Sequence, residues 1–154
     1  MKKIALSLVI VTLLVACCTP ALAMVCKSSS TNSSNIIKSH PLYIQKKINE
    51  KFSVVERSKL VSVVYMANTK ELKGKTSETC PIPLNNYFFK GFRKCLAIIT
   101  MANSKGVVRE VAYPCKLIAG PNGTVGAFIT LNGKEIIEYA GTNASFAISI
   151  ISIQ

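Results

Sequence analysis

The sequence predicts an α+β fold, one N-terminal amphipathic helix packed on an antiparallel β-meander of about five or six strands. Three observations carry this expectation. One apolar face at helical period spans residues 44–55, runs rich in β-branched residues follow it, and turn signals separate those runs. The 154 residues fit one domain. Hydrophobic residues at 49% against charged residues at 17% exclude a wholly disordered chain.

The chain opens on Met1, Lys2 and Lys3, followed by an apolar run over residues 4–16. That run falls short of the roughly 20 residues a spanning helix needs. Pro20 breaks it, and Ala21-Leu22-Ala23 fits a small-x-small cleavage pattern, so residues 1–23 read as a signal peptide. The alternative is Leu14-Val15-Ala16-Cys17, which has the form of a bacterial lipobox with Cys17 as the lipidated residue. Cysteine parity favours plain secretion. Cleavage after Ala23 leaves Cys26, Cys80, Cys95 and Cys115, whereas lipidation at Cys17 keeps Cys18 as an odd thiol. Both readings export the protein, either as a secreted or periplasmic chain or as a membrane-anchored lipoprotein.

Residues 24–40 are rich in Ser, Thr and Asn and read as a flexible lead-in to a single disulfide-bonded domain over residues 41–154. Pro41 suits the first turn of a helix. Ile44, Ile48, Phe52 and Val55 fall at i, i+4, i+8 and i+11, which places a helix near residues 42–57. Ser53-Val54-Val55-Glu56 has the form of a capping box, and that alternative starts a new helix at Ser53. The β-branched run over residues 61–65 reads as a strand.

Residues 61–70 and 96–105 are alike, each an apolar run ending in Asn, a small residue and Lys; residues 127–134 are a looser copy. The common physical content is a strand followed by a turn. Ser104-Lys105-Gly106 closes a hairpin between residues 98–103 and 107–111. Further turns fall at Gly120-Pro121-Asn122-Gly123, at Asn132-Gly133 and at Gly141-Thr142-Asn143. Strands are expected over residues 107–113, 124–131, 135–139 and 146–153, with Pro114 bending or ending its strand. The run over residues 146–153 is apolar at nearly every position, as in a strand covered on both faces. In outline, a helix cradled by a meander resembles the cystatin arrangement. The Gln-x-Val-x-Gly segment of cystatins does not occur here, so their activity does not carry over.

An oxidising compartment turns four cysteines into two disulfides. With a three-residue loop, Asn103 faces Val107, and counting back along both arms brings Cys95 opposite Cys115. That leaves Cys26 for Cys80. No Cys-x-x-Cys pair or nearby His suggests a metal, and no Gly-rich phosphate loop is present, so no metal or cofactor is expected.

Chemistry narrows further by elimination. Without Asp, a Ser/His/Asp triad is excluded. The single His40 precedes Pro41 and reads as exposed or helix-capping. Glu110, Glu135 and Glu138 read as solvated strand faces. A secreted basic hydrolase or toxin, nuclease-like, would draw on His40, Arg93 or Arg109, and Glu110.

The net charge is +12, and residues 38–94 hold 12 Lys/Arg against 4 Glu. Residues 85–94 interleave four aromatics with Lys90, Arg93 and Lys94. The expected function is therefore that of an exported, non-enzymatic binding protein of the envelope or extracellular space. Its basic helix and loops, with Lys73, Lys75, Phe89, Lys90, Phe92, Arg93 and Lys94 as binding residues, would meet an anionic envelope or host polymer or an acidic protein. Nucleic acid ranks behind these, and membrane contact is expected only with lipidation. A third reading is an inhibitor or structural subunit acting by strand addition at residues 146–153.

Overall fold

A computed structural model describes residues 26–29, 33–72, 79–82, 92–119 and 125–153. The signal segment, Cys17, Cys18, Lys73, Lys75, Phe89 and Lys90 lie outside the described residues. The fold is α+β, a curled antiparallel sheet with a few helices. In chain order the strands are β1 (Cys26–Ser29), β2 (Leu60–Asn68), β3 (Thr79–Ile82), β4 (Cys95–Ala102), β5 (Val108–Ala119), β6 (Val125–Thr130) and β7 (Ser145–Ile153). The helices are α1 (Ser33–Lys38), α2 (Leu42–Lys51), α3 (Val54–Arg57) and α4 (Gly133–Ala140). The strand order is β1-β2-β7-β4-β5-β6-β3. Five strands, β1-β2-β7-β4-β5, form one ladder set, and the far half of β5 hands over to β6 and β3.

The sheet departs from a simple meander, and from the cystatin-like outline, at β7. It runs antiparallel to both β2 and β4 and sits between them. The reason is its composition. Ile148, Ile150 and Ile151 are buried, with side chains on both faces, and only an interior strand covers both. Strand addition at residues 146–153 is thereby corrected: both edges of β7 are already paired.

Side-chain alternation divides the core in two. Val63, Tyr65, Ala97, Ile99, Ala127, Ile129, Phe146, Ile148 and Ile150 meet inside the curl, where Ile136 of α4 joins them. Leu60, Leu96, Ile98 and Ile151 face the other way and pack with Ile36, Ile44, Ile48 and Phe52.

The helical segment is broken at residues 52–53. Ser53 accepts from the Glu56 N–H while the Glu56 carboxylate accepts from the Ser53 N–H, a complete capping box that starts α3. Val55, placed on the apolar face by spacing, is 71% exposed as a result. Within the stretch expected as lead-in, β1 pairs with β2 and Ile36 is buried.

Two turn readings are corrected. Asn132-Gly133 opens a helix instead of a hairpin, because Asn132 Oδ1 accepts from the Glu135 N–H and caps α4. Residues 135–139, expected as a strand, therefore turn as a helix. Pro114 does not end its strand, since β5 runs through it to Ala119. The other two Asn repeats behave as strand ends. Asn68 Oδ1 accepts from the Lys70 N–H and Asn103 Oδ1 from the Lys105 N–H, the same turn chemistry at equivalent positions.

Candidate functional site

Of the predicted binding residues, Phe92, Arg93 and Lys94 fall within the described residues. Phe92 packs against the inner core, which favours burial over ligand stacking. Lys94 is neutralised by Glu56 at 2.7 Å, and Arg93 is exposed. The Lys94 ammonium and the Ser53 backbone N–H hold the Glu56 carboxyl down at about 2. Three neighbouring residues thus serve three different ends.

His40 is neither free nor a helix cap. Its Nδ1 lies 2.7 Å from Glu110 Oε2, and the two side chains are only 11% and 13% exposed. Glu110 is thus not a solvated strand residue. Arg109, the next residue, points to the opposite face, where it meets Glu135 at 2.7 Å and stacks over the Tyr139 ring. Glu138 keeps to the surface and pairs weakly with Lys134 at 3.8 Å.

The backbone around Glu110 shows what this region offers. The Asn103 N–H donates to the Val107 carbonyl, so residues 103 and 107 are a hydrogen-bonded pair. Alternation along the β4/β5 ladder then turns the N–H and C=O of Val108, Glu110 and Ala112, and the C=O of Pro114, away from β4. Pro114 is tolerated for this reason, its missing N–H falling on the side β4 does not use. β6 pairs only from Cys115 onward, which leaves residues 108–112 as an open edge among the described residues. The Tyr43 hydroxyl covers part of it, donating to the Glu110 carbonyl at 2.6 Å and accepting from the Glu110 N–H at 3.3 Å.

Beside this edge lies an open cleft of about 520 Å³, lined by Tyr43, Ile44 and Lys47 of α2 and by residues 109–112 of β5. Lys47 is exposed at its mouth in a surface pair with Glu50 at 3.3 Å, Arg109 lines it while its guanidinium is held by Glu135, and Val107 and Val108 beyond it are 55% and 64% exposed. Comparison with protein families, curated proteins and solved structures finds no match. The cleft must therefore be read from its own chemistry.

The four cysteines fall at instructive places. The β4/β5 register pairs Leu96 with Pro114, so the next step brings Cys95 opposite Cys115. Both are buried thiols, unbonded here. The interaction with Cys95 and burial push the Cys115 thiol up. Cys80 faces Ile129 from β3 and Cys115 faces it from β5, so a whole strand separates them. Cys26 and Cys80 lie on the two outermost strands, and no ladder joins them. The described residues hold no cluster of three or more potential metal ligands. No helix among them is long and apolar enough to cross a membrane.

Sequence reasoning did not locate this edge. The one available signal was Pro114 within an otherwise regular strand, since Pro marks a side with no hydrogen-bond partner.

Proposed function

We propose that the protein is an exported binding protein that takes an anionic partner in the cleft between α2 and the open edge of β5. The observation that carries this is the cleft itself, with exposed Lys47 at its mouth and the outward-facing backbone of residues 108–112 beside it. The reading takes the amphipathic helix as a basic layer over the sheet, supported by buried Ile44 and Ile48 beneath exposed Lys46 and Lys47. Residues 33–59 hold six Lys/Arg against two Glu, so the field around the cleft attracts anions. Export rests on the signal-like residues 1–23, and an oxidising compartment would join Cys95 to Cys115. Facing residues of an antiparallel pair lie about 4.5–5.5 Å apart between Cα atoms, inside the range a disulfide needs. The test of function is affinity for polyglutamate at rising salt. The double variant Lys47→Glu, Arg109→Glu is expected to bind about tenfold more weakly or worse and with a shallower salt dependence. Equal affinity of the two proteins overturns the site.

A second reading rests on the His40–Glu110 pair. A carboxylate that fixes Nδ1 directs the other ring nitrogen to act as a base, the arrangement a secreted hydrolase needs. Hydrolysis of RNA that disappears in His40→Ala supports it. RNA left intact by the purified wild-type chain removes it.

A further inference from the structure

We infer that residues 108–112 of β5 form a docking edge to which an acidic, extended peptide segment of a partner protein adds as a further strand. The inference deepens the binding reading above and rests on it. Open strand edges are templates for pairing, and proteins that leave one uncovered either block it or use it. Here the block is slight. Of the three residues whose N–H and C=O both face outward, Glu110 is held by one phenolic hydroxyl, and Val108 and Ala112 have no side-chain partner among the described residues. The edge starts at exposed Val108, with exposed Val107 just before it, so an added strand meets an apolar side chain there.

Charge selects the occupant. Lys47 lines the groove in an exposed, weak pair with Glu50 that an incoming carboxylate can displace, and exposed Lys105 stands at the hairpin tip where an added strand would begin or end. Glu110 is engaged by His40, Glu135 by Arg109 on the opposite face and Glu50 by Lys47, so the three nearby carboxylates are already paired. A second copy of this chain would set Lys47, Lys105 and Arg109 against their own counterparts on a protein of net charge +12. An acidic segment meets complementary charge on the same ladder.

The probe is a blocked peptide of about eight residues alternating Glu and Val, long enough to span the edge. Its Lys-Val counterpart is the control. The full chain is followed by amide hydrogen exchange. The acidic peptide is expected to protect the Val108 and Ala112 amides, and the basic one to leave them exchanging. Val108→Pro and Ala112→Pro remove donors that β4 does not use, as Pro114 already does, and each is expected to weaken the peptide about tenfold. Tyr43→Phe removes the competing hydroxyl and is expected to strengthen it, a gain that a merely structural tyrosine would not give. If the peptide binds without protecting these amides, or binds the proline variants equally well, strand addition is overturned while anion binding stands. If the amides become protected with rising protein concentration and no peptide, the occupant is a second copy and the inference fails. If neither polyglutamate nor the peptide binds, both readings fail.

Discussion

Glu56 and His40 show how single side chains hold the helical layer to the sheet. Glu56 caps α3 through Ser53 and reaches Lys94 just before β4. Its carboxyl is held at about 2, below the ordinary 4.5, so the stability it contributes is present above 4.5 and lost as pH falls toward 2. Glu56→Gln is expected to flatten the stability profile across that window, as read by urea midpoints at a series of pH values. An unchanged slope would mean that the pair does not survive in solution. His40→Ala leaves the Glu110 carboxylate half-buried without its partner and is expected to cost about 1–3 kcal/mol. A thermal midpoint equal to wild type would place His40 back among the surface residues.

At the scale of elements, period and composition located most of the strands, and local capping decided what they missed. β2, β4, β6 and β7 were legible because β-branched runs end at Asn or Gly turns. β7 further announced its central place by having no polar face. α4 was hidden because Asn-Gly is the strongest short hairpin signal, while Asn132 followed by Glu135 is equally a helix start. The apolar spacing of Ile136, Ile137 and Ala140 favours the helix, and Ile136 is fully buried. Asn132→Ala is expected to destabilise the fold by about 1 kcal/mol, the cost of a lost N-cap. Ile48→Ala, which empties a fully buried site between α2 and the sheet, is expected to cost about 2–5 kcal/mol. A near-zero cost for Ile48→Ala would mean that α2 is not packed there. The open edge of β5 was illegible for a different reason. It depends on which strand returns beside β5, a long-range outcome that residues 108–112 do not encode on their own. Within the predicted basic segment, Phe92 packs on the core and Lys94 pairs with Glu56, uses that depend on long-range packing and were not legible in the segment itself.

For the whole molecule, the excess of positive charge and the unclosed β5 edge point to the same partner chemistry. The Cys95–Cys115 pairing belongs to this scale too, since it depends on the compartment. The exported chain is expected to start at Met24 and, when denatured without reductant, to leave Cys95 and Cys115 unlabelled by a thiol reagent. The two electrons of that bond pass to an external disulfide by exchange. Labelling of both residues in exported protein would leave β4 and β5 joined by hydrogen bonds alone. The central claim, that an anionic partner occupies the α2/β5 cleft, is tested most directly by titrating the isotope-labelled full chain with polyglutamate and mapping the perturbed amides. The account predicts the largest shifts at Tyr43, Lys47 and residues 108–112, diminishing as salt rises. Shifts confined to Arg93, Lys94 and their neighbours, with the cleft unmoved, would contradict it.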